Sequence, residues 1–169
     1  LTLTATLSVA TTADVTVGIS TSGTGTEGTD YSTISDITIS AGATTGTASF
    51  TPSDDSVYEG NETGIVAIST VSGGSATEDG TQSVTITINE NESSPTVTLA
   101  TSASSIAENA GSSLTLTATI SQVADEDITV TIGTAGTSTE GTDYTDGSGA
   151  VDDITISAGN TTGTVNFTP

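Results

Sequence analysis

The chain is 169 residues long and carries a formal charge of −21, with no lysine, arginine, histidine or cysteine. Without Lys or Arg it has no groups for the phosphate contacts of nucleic acid or an anionic membrane, and without Cys it has no disulfide, thiolate metal site or cysteine nucleophile. The same gaps remove most general acid–base and nucleophilic groups, so the composition argues against an enzyme and for a cation as the natural counterpart of this surface.

Taken in chain order, the sequence is a succession of short alternating segments. "LTLTATLS" (1–8) and "DVTVGIST" (14–21) come first, followed by a polar loop, "TEGTDY" (26–31). "DITIS" (36–40) and "GTASFTP" (46–52) lead to a second acidic loop, "DDSVYEGNET" (54–63), and then to "GIVAIST" (64–70) and "QSVTITIN" (82–89). After "INENES" (88–93) the alternation resumes in "PTVTLAT" (95–101). Period-two alternation rich in Val, Ile and Thr, bounded by Gly, Asp, Asn or Ser, predicts half-buried strands, and no segment has helical spacing. The apolar face of each strand points to a core, and the Thr and Ser face is the solvated side. No apolar run approaches membrane-spanning length, so no membrane insertion is expected.

The succession then repeats. "LTLTATLS" returns as "LTLTATIS" (114–121), "TEGTDY" returns at 139–144, and "DITISAG" (36–42) returns at 153–159 after a four-residue insertion near "DGSGA". "FTP" closes both stretches, at 50–52 and 167–169. A repeat this long marks whole domains in tandem. The expected fold is all-β, with tandem immunoglobulin-like antiparallel sandwiches of about seven strands each. Domain one is expected at 1–92, lacking its first strand, and domain two at 93–169, lacking its last strands. The expectation is therefore a window on a longer array, or a polymerising subunit whose neighbouring copies complete each half.

The carboxylates fall in the loops: Glu27 and Asp30, then Asp54, Asp55, Glu59 and Glu62, then Glu90 and Glu92, then Glu108. Like charges at this spacing repel, and no cationic side chain offsets them. Calcium takes six to eight oxygens, often carboxylates on loops, and suits such a cluster better than magnesium, which keeps more of its own water. Composition alone leaves this reading beside another, in which acidic loops keep a surface protein soluble.

The order "SIAENAG" (105–111), alternating strands, "EGTDY", "ISAGxxxGxxxF", "DDSVYEGNET" and "VTITINEN" resembles the Calx-β domain, found in sodium/calcium exchangers and in tandem in bacterial surface proteins. The resemblance implies a seven-stranded sandwich that binds Ca2+ at one tip. Residue by residue, it implies a metal set of Asp30, Asp54, Asp55, Glu59, Glu62, Glu90 and Glu108, with Asp143 as the second copy's counterpart of Asp30. Calcium-binding members end the last strand in a run of aspartates, whereas this chain reads Asn89, Glu90, Asn91, leaving one carboxylate and amide or backbone oxygens there.

The function expected on this basis is a structural repeat of a long extracellular adhesin stalk or filament on a bacterial cell surface, with calcium at domain junctions rigidifying the array. Its partners are neighbouring copies of the same repeat or filament subunit. The alternatives are a glycan- or protein-binding surface module and a calcium-sensing module. Tyr31 and Tyr144, each following an Asp, are expected to plug the loop base, and Tyr58 to pack beside its own loop.

Overall fold

A computed structural model describes residues 1–108 and 111–169, so Asn109 and Ala110 of the "SIAENAG" motif lie outside the described residues. The described residues form eleven strands and no helix, and none forms a helix long and apolar enough to cross a membrane. They divide into two compact units, the first made of Leu1–Asp55 and Gly60–Glu90, the second of Ser56–Glu59 and Asn91–Pro169.

The first unit contains β1 (Thr2–Thr6), β2 (Val15–Gly23), β3 (Ile37–Ile39), β4 (Thr45–Ser49), β5 (Glu62–Ser72) and β6 (Ser83–Ile88). A four-stranded antiparallel sheet in the order β3-β2-β5-β6 faces a two-stranded sheet, β1-β4. The alternation places Val15, Val17, Ile37 and Ile39 inward, where Leu3, Ala5 and Ala48 of the smaller sheet pack on them. A second cluster sits beside the first and joins Tyr31, Ile34, Phe50 and Val66. Phe50 is completely buried, and its ring stacks on Tyr31 with centroids 4.6 Å apart and an interplanar angle of 22°. Tyr31 is thus the plug at the base of the "TEGTDY" loop.

The second unit contains β7 (Val97–Thr101), β8 (Leu114–Ile120), β9 (Ile128–Val130), β10 (Ile154–Ile156) and β11 (Thr162–Phe167), in sheets β11-β8-β7 and β10-β9. The two strand pairs that both units share keep the same register. Thr2↔Ser49 and Thr6↔Thr45 become Thr115↔Asn166 and Thr119↔Thr162, while Val15↔Ile39 becomes Ile128↔Ile156. The aromatic plug recurs as Tyr144 on Phe167, with centroids 4.4 Å apart. The unit also takes in Tyr58, whose N–H donates to the carbonyl of Val123 at 2.9 Å. Tyr58 is half-buried, and it is anchored through its backbone.

Two glycines explain how the sheets close. A Cβ on Gly46 would lie 2.5 Å from the carbonyl oxygen of Thr38, so the close approach of β4 to β3 requires a residue without a side chain. Gly163 meets the carbonyl of Thr155 in the same way in the second unit. Gly64, on β5, lies under the aromatic plug, where a Cβ would come within 2.8 Å of Phe50 Cε2.

The loops are held by carboxylates that accept backbone N–H groups, and the same set recurs in both units. Asp14 Oδ1 accepts from Ala41 N and Asp127 Oδ1 from Ala158 N, each at 2.8 Å. Asp36 Oδ1 accepts from Ile19 N and Asp153 Oδ1 from Ile132 N, each at 3.0 Å. Glu27 spans its loop, taking the Thr21 hydroxyl at 2.6 Å and Ile34 N at 2.7 Å, and Glu140 does so with Thr134 and Val151. These donors, the Thr21 hydroxyl foremost, hold the Glu27 carboxyl below the usual carboxylate range. The insertion in the second copy forms its own turn, in which Asp146 Oδ1 accepts from the N–H and hydroxyl of Ser148 and from Gly149 N.

Replacing Gly64 with Ala should destabilise the first unit by about 1–3 kcal/mol, because the added methyl meets a fully buried ring that cannot move aside. Gly133→Ala, where a Cβ meets open space, should change stability by less than about 0.5 kcal/mol. Urea denaturation followed by circular dichroism compares the two, and equal stabilities would contradict the packing described.

The hydrogen bonds to Ser148 lower the Asp146 carboxyl to about 2, while its neighbour Asp152, hydrogen-bonded to Asp146 and facing its charge, is pushed up. Since the folded value of Asp146 lies below its unfolded one, the turn's stabilisation is present above the unfolded value and fades as pH falls towards about 2. Carboxyl NMR titration should find Asp146 with its midpoint well below that of Asp152. Two ordinary, superimposable midpoints would show that the turn does not form.

Candidate metal centre

With several loop acids committed to backbone N–H groups, the remaining carboxylates can be sorted by what they meet. Among the described residues, one group of three comes within reach of a shared ion: Asp30, Glu59 and Glu62 each offer a carboxylate oxygen, and these atoms lie within 4.8 Å of one another. Oxygens bound to one calcium at about 2.4 Å are separated by at most about 4.8 Å, so the group matches the span of a single coordination sphere. All three residues are half-buried.

Each ligand is placed by local structure. Asp30 sits in the turn above the Tyr31 plug, and its Oδ2 accepts the N–H of Thr26 at 2.5 Å, which fixes the side chain's direction. Glu62 is the first residue of β5 and pairs with Ile88 at the end of β6, so strand pairing sets its position. Glu59 directly precedes Gly60, whose φ of +75° turns the chain into that strand. Gly60 N donates to Glu90 Oε2 at 2.8 Å, and Glu90 N donates to Asn61 Oδ1 at 2.9 Å. This reciprocal clasp ties the stretch just beyond β6 to the acidic loop.

Coulomb repulsion sets the scale of what this arrangement costs. Two unit charges 4.8 Å apart repel by about 1 kcal/mol in bulk water and about 3.5 kcal/mol at an effective dielectric near 20. A divalent cation at the centre converts these repulsions into attractions, and an all-oxygen set selects a hard ion. The triad could therefore hold a metal.

The other residues expected at the site are placed as follows. Asp54 and Asp55 are exposed on the loop that leads to Glu59 and Glu62, and Glu90 reaches that loop at Gly60 through the clasp. In the second unit Glu108 is exposed, and so is Asp143, whose Oδ2 accepts from Thr139 N at 2.6 Å as Asp30 does from Thr26. Glu27, a loop carboxylate that the sequence left outside the metal set, has its two oxygens bridging Thr21 and Ile34. Sequence reasoning overlooked Asn61, whose amide oxygen receives Glu90 N. The recurrence of Thr21 and Glu27 as Thr134 and Glu140 was the available signal for the first, since a shared hydroxyl partner points to a bond within the loop. For the second there was only the pairing of "GNE" with "NEN".

None of the curated proteins matches the chain. The Calx-beta domain matches residues 3–92 and again 90–168, and all three clustered carboxylates fall within the first match. Domains of this kind typically bind Ca2+, are generally non-catalytic modules, and are often extracellular. The chain belongs to the Calx-beta family, as two Calx-beta domains in tandem.

Proposed function

We propose that this chain is a calcium-binding structural repeat of a long extracellular adhesin stalk or filament, in which bound calcium stiffens the succession of sandwiches. The observation that carries the reading is the convergence of Asp30, Glu59 and Glu62 in a chain with no cationic side chain to balance them. Calcium relieves their repulsion and ties the end of the loop to the start of β5. Neighbouring copies of the repeat are the partners, and the cell surface is the location. A glycan-binding role draws less support, since Tyr31 and Tyr144 are buried in ring stacks and offer no stacking face to a sugar.

Millimolar calcium should raise the melting temperature of the chain relative to a chelated sample, because an ion bound to the native state alone stabilises it by mass action, and magnesium should do much less. Replacing Glu59 and Glu62 together with Gln should weaken calcium binding by tenfold or more in calorimetry while leaving the strands folded in chelator. A melting temperature indifferent to calcium removes the metal from the account. Small-angle scattering on an array of several repeats then tests the stalk: the maximum dimension should fall when calcium is removed. An unchanged dimension would leave a calcium-binding module without a stiffening role.

A further inference from the structure

Glu59 and Glu62 are three residues apart, and in an extended chain residues at an odd separation point to opposite faces. Their carboxylates nevertheless lie within 4.8 Å of one another and of Asp30. The chain therefore leaves the strand path between them, and it does so at Gly60, whose φ of +75° lies in the left-handed region. A Cβ at Gly60 would have nothing within 4 Å, so packing at that position does not impose the turn. Directed contacts have to hold it.

The ladder between β5 and β6 shows which contacts these are. Glu62 pairs with Ile88 and Thr63 with Thr87, and the same register continued past Glu62 sets Gly60 opposite Glu90. Bonded positions in an antiparallel pair alternate, and Ile68 N donates to the Gln82 carbonyl at 3.1 Å. Counted from there, Gly60 and Glu90 fall on a position where each N–H would donate to the other's carbonyl. Both donate to side chains instead: Gly60 N to Glu90 Oε2 at 2.8 Å, and Glu90 N to Asn61 Oδ1 at 2.9 Å. Two side-chain oxygens thus stand in for two strand carbonyls, which satisfies both amides and releases the 59–61 backbone from the extended path.

We propose that Asn61 and Glu90 are positioning residues of the calcium site, whose side chains replace the last pair of ladder carbonyls and so hold the Gly60 turn that brings Glu59 and Glu62 to one ion. The inference rests on the reading of Asp30, Glu59 and Glu62 as a calcium site and adds which residues set its affinity. Glu90 acts through Gly60 N and not as a ligand of the ion. With either side chain cut back, Gly60 and residue 90 regain the ordinary exchange of backbone bonds, the extended path returns, and Glu59 turns to the face opposite Glu62. The ion then loses one of its three carboxylates. What each position needs is an acceptor oxygen, so an amide serves at 90 and a carboxylate serves at 61.

Calorimetric titration with calcium, on the full chain and four variants, tests these roles. Glu90→Ala and Asn61→Ala should each weaken binding about 10- to 100-fold, the usual cost of losing a group that orients a metal ligand. Glu90→Gln keeps an oxygen for Gly60 N and should lose less than about fivefold, the scale of one partly screened charge. Asn61→Asp keeps the acceptor for Glu90 N and should bind no more weakly than the unaltered chain. A second readout is taken in chelator, where NMR should show an Overhauser contact between the Gly60 amide proton and the Glu90 side-chain methylenes in the unaltered chain, and its loss in Asn61→Ala. Equal weakening by Gln and Ala at position 90 would make Glu90 a ligand and overturn the positioning role, and so would the absence of that contact from the unaltered chain. An unaltered chain that keeps the contact but binds no calcium removes the calcium reading itself, and the positioning role with it.

Discussion

A carboxylate needs a positive partner, and in this chain no side chain can supply one. Every ionised Asp and Glu must therefore be met by water, by a backbone or hydroxyl hydrogen, or by an imported cation, and this limitation organises the loops of both units. Where a loop needs to be held shut, a carboxylate accepts from a backbone N–H across it: Asp14 from Ala41, Asp36 from Ile19, Glu27 from Ile34. Such bonds are charge-assisted and satisfy amides that no strand pairs. They recur in the second unit at the matching positions, so the acids that pin the loops are part of the repeat itself.

The triad stands apart from these pins because its carboxylates are brought towards one another. Strand pairing fixes Glu62, the turn over the aromatic plug fixes Asp30, and the clasp between Glu90 and the 60–61 backbone and amide steadies the stretch between Glu59 and Glu62. The fold thus spends stability from its core to hold like charges together. That expense is intelligible when a cation completes the arrangement, and domains of the Calx-beta family bind Ca2+.

The strands were legible because alternation and burial follow one rule: "DITIS" gave β3 and β10, each with its two isoleucines buried and its threonine exposed. The repeat was legible too, since identical segments fold to identical registers. Tyr31 was readable as a plug, although its stacking on Phe50 depends on Gly64 leaving room from a strand far along the chain. Composition and spacing did not separate Glu27 from Asp30; only the resemblance put Asp30 alone in the metal set. Both lie in one six-residue loop, and only the closing of that loop decides that the first faces Ile34 N and the second faces Glu62. In the same way "DDSVYEGNET" displayed its four acids as one group, whereas Glu59 and Glu62 alone flank the turn into β5. Loop acids are sorted by backbone direction, which periodicity does not encode.

The most direct test of this account is a diffraction structure of the chain grown in calcium, with the anomalous signal used to locate the ion. The account predicts one calcium held by Asp30, Glu59 and Glu62 at oxygen distances of about 2.3–2.6 Å, with Glu27 still bridging Thr21 and Ile34. A calcium seated on Glu27 and the other loop pins, with the triad's side chains turned apart into solvent, would contradict it.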